Sequence, residues 1–180
     1  MTEVEVLMNS NTAQKIDIDL QSEEGVDQYL TFCLAGEEYG INILKVQEIR
    51  GWSEVTPMPN TPDSILGVIN LRGTVVPIVE LRSHFNLPEV PPSPTTVIIV
   101  VKAVEANGNQ RTMGMVVDAV SEVHNIASEE IQPPPQIGDA GDQRAIAGLT
   151  TMEQHMIILL DVDDLMINGV LGLLDDEPGA

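Results

Sequence analysis

Three histidines, one cysteine and an acidic triplet are the residues of this chain best equipped for chemistry. His84, His124 and His155 stand tens of positions apart, and none has a second ligand at the short spacing that metal sites use. Each reads as a surface or half-buried imidazole. Cys33 lies inside the apolar run Leu30-Thr31-Phe32-Cys33-Leu34, where a buried, inert thiol fits better than a nucleophile. Asp161, Asp163 and Asp164 crowd together, but Leu165 and Met166 follow where a calcium loop needs glycine and further oxygen ligands. Acids opening a short helix account for them better. A phosphate-cradling Gly-x-x-x-x-Gly-Lys run is missing, as is the Gly-x-Ser-x-Gly elbow of a serine nucleophile. With no activated nucleophile, acid–base pair or metal set, the expectation is a non-enzymatic protein without metal or cofactor, whose work is binding.

Elements that would carry a binding surface must come from an aliphatic core. Apolar residues make up 43% of the 180 residues and aromatics only 3%, so the interior is built from Val, Ile, Leu and Met. The net charge is −20, and the 8 Lys and Arg residues form no basic run, which argues against nucleic acid and against an anionic membrane surface. A single cysteine excludes an intrachain disulfide. No basic patch followed by an apolar stretch opens the chain, and no apolar run is long enough to span a bilayer. These features point to a cytoplasmic protein without membrane insertion.

Residues 1–26 are acidic and weakly patterned and read as a flexible tail. The alternation in residues 15–20 offers a short strand as the alternative. A domain is expected over 27–170 and a second acidic tail over 171–180. Within the domain, strands are expected at 29–35, 39–43, 74–81, 95–104, 111–118, 145–151 and 156–161, with a helical turn at 44–47 and a short closing helix at 162–174. Asn107-Gly108 is a hairpin turn, and Pro77 must sit at an edge or a bulge. Residues 133–142 read as a loop. Many short strands and few helical patterns give a mainly β, barrel-like class. The chain also repeats itself. The stretch from Gly67 to Leu81 aligns without a gap on that from Gly148 to Val162, 81 positions on (67 to 148), and Gly40 to Ile49 aligns on Gly114 to Val123, 74 positions on (40 to 114). A duplicated small barrel is the expectation.

Four of the 8 cations, Lys45, Arg50, Arg72 and Arg82, fall between positions 45 and 82, among Ile43, Val46, Ile49, Val68 and Ile69. Arginine beside small apolar groups is the composition of a protein interface.

In this region the chain resembles the CheW family of chemotaxis coupling proteins. The resemblance is carried by Glu38-Tyr39-Gly40-Ile41-Asn42-Ile43-Leu44-Lys45-Val46-Gln47-Glu48-Ile49-Arg50-Gly51, by Asn60-Thr61-Pro62, by Gly67-Val68-Ile69-Asn70-Leu71-Arg72-Gly73 and by Val76-Pro77-Ile78-Val79-Glu80-Leu81-Arg82. It continues through Gly114-Met115-Val116-Val117-Asp118-Ala119-Val120 and Glu130-Ile131-Gln132-Pro133-Pro134-Pro135, so that it covers about residues 28–165. It implies two small five-stranded SH3-like β-barrel lobes packed together, with few short helices and no catalysis. It further implies an adaptor that binds the regulatory domain of the CheA histidine kinase and the cytoplasmic tip of chemoreceptors (methyl-accepting chemotaxis proteins), recruited to receptor clusters at the inner face of the membrane. Carried residue by residue, the interaction surface is Ile43, Val46, Glu48, Ile49, Asn70 and Arg72, with Val117 and Val120 supplied by the second lobe. Glu48 and Arg72 are expected to pair across the barrel. Their counterparts at the two offsets are Glu122 and Glu153, so the second lobe cannot repeat the pair.

The chain departs from the resemblance in the loop Val55-Thr56-Pro57-Met58-Pro59, which has no basic residue, and in the variable stretch Ile137-Gly138-Asp139-Ala140-Gly141-Asp142. Within the same family, a domain fused to a receiver or to the kinase is the rival reading. The start at Met1 and the acidic end soon after the domain favour a free-standing adaptor. A small-ligand barrel is the rival from a different class.

Overall fold

The computed structural model describes residues 2–8, 12–18, 24–136 and 145–171, with side chains described from residue 24 onward. Its strands are β1 (Thr2–Met8), β2 (Thr12–Ile18), β3 (Val26–Leu34), β4 (Glu37–Asn42), β5 (Val46–Gly51), β6 (Ile65–Leu71), β7 (Thr74–Glu80), β8 (Val97–Val104), β9 (Gln110–Val117), β10 (Ala119–Ala127), β11 (Ile146–Met152) and β12 (His155–Leu160). A single helical turn, α1 (Leu81–His84), follows β7, a 3-10 turn Ile43–Lys45 precedes β5, and a π-helix Asp164–Leu171 follows β12. The expected strands are all present. β5, β6 and β10 are strands that the sequence reading did not include, β5 overlapping the helical turn expected at 44–47. The loop expected at 133–142 falls outside the described residues from 137 onward, as does the acidic end at 172–180.

Two five-stranded units result, mainly β as expected. The first runs β5-β8-β9-β7-β6 and the second β10-β3-β4-β12-β11. Each closes on itself through one bridge, Thr56 to Val68 in the first and Gln132 to Leu149 in the second. The internal repeat is legible in the registers. A bulge lies between Ile65 and Gly67 in the β6–β7 pair and between Ile146 and Gly148 in the β11–β12 pair. Ile78 pairs with Gly114 in the first unit, and their counterparts Leu159 and Gly40 pair in the second. The strands, however, are exchanged. β3 and β4 leave the strands that follow them and join β10, β11 and β12, while β8 and β9 join β5, β6 and β7.

Gly67 shows why one position of the repeat admits no side chain. A Cβ there would stand 2.0 Å from the carbonyl oxygen of Thr56, the residue that closes the barrel.

Three cores follow from this layout. Ile69, Leu71, Val76, Ile78, Ile98, Val100 and Val116 fill the first barrel. Ile126, Ile157 and Leu159 fill the second. The largest cluster joins the two units and includes Leu30, Phe32, Ile49, Leu81, Met115, Leu165 and Met166. This aromatic-poor chain stacks Phe32, Tyr39 and Phe85 at 5.8 Å spacings within that junction, with Phe32 and Tyr39 from the second unit and Phe85 from just after α1.

The reading of residues 1–26 as a flexible tail is corrected over two segments. β1 and β2 form an antiparallel hairpin, and β1 adds in parallel to β5, with Glu5, Val6 and Leu7 opposite Glu48, Ile49 and Arg50. The physical reason is the period-two alternation in Val4, Val6, Met8 and in Ile16, Ile18, met by the unpaired outer edge of β5.

Candidate interaction surface

The β6–β7 hairpin carries the most exposed of the expected residues. Its two-residue turn is Arg72-Gly73, both with positive φ, 50° and 86°. That is the primed turn geometry matching strand twist, and it places a non-glycine residue in the left-handed region. Asn70 Oδ1 accepts the Gly73 N–H at 2.9 Å and fixes the turn. Arg72 then reaches back over the barrel, and its Nη1 donates to Glu48 Oε2 at 2.9 Å. Glu48 is 2% exposed, whereas the Arg72 side chain is 62% exposed. The other carboxylate oxygen has no hydrogen-bond partner and meets Arg50 Nη1 at 4.0 Å. The expected pair is therefore present, with a buried acid held between two arginines at the surface.

The remaining expected residues are placed differently from an open apolar strip. Ile43, Val46, Ile49 and Val117 are 4%, 7%, 0% and 1% exposed and belong to the core that joins the units. Their alternation in strands with one buried face explains this, since the same pattern marks a core face and an apolar contact face. Val120 is half-buried and packs against that core. Val117 also changes unit, because β9 pairs with β7 and β8, and only Val120 on β10 belongs to the second unit. Sequence reasoning missed Val75, which follows the Arg72 turn and is 63% exposed. Val75 stands beside Val76 in a chain rich in valine, so nothing in the sequence marked it as the exposed one.

It also missed the second charge centre. Arg82 is 9% exposed, and its Nε and Nη2 fork onto Asp118 at 3.0 and 2.5 Å while Nη1 donates to the Pro88 carbonyl at 2.9 Å. Asp118 Oδ2 also accepts the Ala35 N–H at 2.9 Å, so one carboxylate ties α1 to the β3–β4 turn of the other unit. Burial pushes the Asp118 carboxyl up, but the Arg82 fork and the Ala35 N–H outweigh it and hold the group below the usual aspartate range. Glu80, which caps α1 by accepting the Arg82 N–H, is pushed the other way by burial. The sequence signal for this centre is the Glu80-Leu81-Arg82 run after a strand, an acid at a helix start followed closely by a cation.

No group of three or more His, Cys, Asp or Glu is placed to hold a metal ion among the described residues. No helix among them is long and apolar enough to cross a membrane.

Comparison with known proteins agrees with the geometry. The CheW-like domain family model matches residues 28–168. The chain is 42% identical over 157 residues to the chemotaxis protein CheW of Klebsiella aerogenes, covering 87% of this chain and 92% of that one. It is 36% identical to the chemotaxis protein CheW of Rhizobium meliloti, covering 78% and 88%. The crystal structure of the scaffolding protein TtCheW from Thermoanaerobacter tengcongensis matches with a TM-score of 0.69 at 33% identity, covering 79% of this chain and 94% of that one. With the family model matching most of the chain and a relative 42% identical over nearly its whole length, this chain belongs to the CheW-like domain family.

Proposed function

We propose that this protein is a chemotaxis adaptor, a non-catalytic scaffold that couples the CheA histidine kinase to chemoreceptors in the cytoplasm. Family membership across nearly the whole domain carries the reading. The physical arrangement supports it. Two rigid barrels present a hairpin whose tip offers Asn70, Arg72 and Val75, a polar and apolar mixture suited to a protein partner. The Arg72 side chain is 62% exposed while it donates to the buried Glu48, which sets a cationic group at the face of the hairpin. Ile43, Val46, Ile49 and Val117 act beneath this surface, setting its shape from the core, while Val120 reaches its margin. A receptor helix would lay its apolar face beside the hairpin. In this reading the role belongs to a domain over 27–170.

The test is a pair of separate binding measurements, one with a CheA regulatory domain and one with a receptor cytoplasmic tip. Both are expected to bind. Retained fold with no binding to either partner would overturn the reading.

A further inference from the structure

A second feature lies at the other end of β7, some 20 Å from Arg72 at the strand rise of about 3.3 Å per residue. A cavity of about 260 Å³ opens there at the end of the first barrel. Trp52, Leu66, Val116, Pro91 and Pro92 give it apolar walls, and Glu80, Arg82, Glu89 and Asp118 give it charge. The loop that forms its rim is pinned, because Arg82 Nη1 holds the Pro88 carbonyl and the Trp52 N–H holds the Thr96 carbonyl at 3.2 Å. None of these residues belongs to the Arg72 surface.

The chemistry of an occupant follows from which charges are already spent. Three acids and one base line the cavity, a net of −2. Arg82 and Asp118 satisfy each other through two hydrogen bonds, so neither is offered to a ligand. Glu80 and Glu89 remain. Glu80 accepts a long hydrogen bond from the Arg82 N–H at 3.3 Å, and Glu89 one from the Ser83 hydroxyl at 3.4 Å. Two weakly engaged carboxylates beside an indole and two prolines are the lining for a flat cation on an apolar stem. The volume lies below the roughly 300–1,000 Å³ of small-molecule sites. The rim is open and apolar, with Val90 51% exposed beside Pro91 and Pro92, as suits an anchor side chain carried by a larger surface.

We propose that this cavity is a docking socket for an arginine side chain of a partner protein, its guanidinium stacked on Trp52 and bonded to Glu80 and Glu89. The socket is independent of the chemotaxis reading and adds a contact point remote from Arg72. Burial pushes the Glu80 carboxyl up, and an entering cation reverses that by favouring the ionised form, so binding strengthens as pH rises through the glutamate range. The facing groups Arg82, Asp118 and Glu89 are all on the same rim and set the balance of this titration.

Trp52 is the chain's one tryptophan, so its emission reports the cavity directly. The probe is a capped Gly-Arg-Gly peptide, with the citrulline peptide as its uncharged isostere and free arginine as a small-molecule control. The arginine peptide is expected to change Trp52 emission saturably, at roughly millimolar affinity, and more weakly in high salt. Glu80→Gln with Glu89→Gln should lower that affinity by about tenfold, the scale of one lost charge-assisted bond. Equal binding of the citrulline peptide, or an unchanged affinity in the double variant, would overturn the proposal. Free arginine bound tighter than the peptide would make the cavity a small-molecule site and overturn it too. Should Glu80→Gln fail to fold, the exposed Glu89→Gln decides alone, and an unchanged affinity there sinks the socket.

Discussion

Arg72 Nη1 stands 2.9 Å from Glu48 Oε2, joining the exposed tip of the β6–β7 hairpin to an acid that is 2% exposed. The pair is asymmetric. Without Arg72, Glu48 would stay buried with Arg50 at 4.0 Å as the remaining cation beside it among the described residues.

The first prediction follows from that asymmetry. Arg72→Ala should cost about 1–2 kcal/mol, above an ordinary surface pair and below a fully buried one. Glu48→Gln, which keeps shape and removes the charge, should cost less. The double variant should lose less than the sum of the two. Denaturant melts of all four proteins measure this, and additive losses would show that the pair is not energetically coupled. Binding to the partner of the hairpin should fall in both single variants while the fold persists.

The Arg82–Asp118 fork predicts an acid-sensitive junction. The Asp118 pKa is lowered in the fold, so the unfolded chain binds more protons across the interval between the folded and the ordinary value. The stabilisation is present above the ordinary aspartate value and is lost as pH falls through the lowered one. Asp118→Asn should flatten this acid limb. At neutral pH, Arg82→Ala should cost about 2–3 kcal/mol by leaving a part-buried carboxylate unpaired. Melting curves between neutral and strongly acid pH check both, and an unchanged acid limb in Asp118→Asn would refute the assignment.

How much of this was legible from the sequence varies residue by residue. The paired barrels were, because the offsets of 81 and 74 positions reappear as matched bulges and as the pairs Ile78–Gly114 and Leu159–Gly40. The exchange of β3 and β4 between units was not, since strand pairing across a long separation leaves no mark in local pattern. Glu48 and Arg72 could be paired in advance through the family resemblance and the scarcity of cations. Val46 and Ile49 could not be assigned to core or surface, because one alternating face serves either. Arg82 was visible as a cation and Asp118 as part of a motif, but their meeting depends on α1 turning onto the β9–β10 junction.

Removing residues 1–24 tests the β1–β5 contact. β5 keeps its pairing with β8, so the two barrels should remain folded, with a melting temperature within a few degrees. The outer edge of β5 should lose protection from hydrogen exchange while amides bonded to β8 keep theirs. Equal exchange in the full and shortened chains would show that β1 contributes no pairing there.

The last prediction concerns the two hairpin tips that the repeat places in register. Arg72-Gly73 in the first unit corresponds to Glu153-Gln154 in the second, 81 positions on (72 to 153), and all four residues have positive φ. In the first unit the second turn position is glycine, for which φ of 86° carries no Cβ penalty. In the second unit Gln154 holds φ of 72°, a conformation that costs an ordinary residue about 1–2 kcal/mol. Both turn residues there are exposed, so little packing is lost by replacing one. Gln154→Gly should therefore stabilise the protein by about 0.5–1 kcal/mol, less than the full strain because glycine loses more entropy on folding. The opposite change, Gly73→Gln, should destabilise by about the same amount while leaving the Arg72–Glu48 pair in place. Denaturant midpoints at equal slope measure both. A loss of stability in Gln154→Gly would mean that the second hairpin does not adopt the primed turn, and that the two tips differ in backbone as well as in side chain.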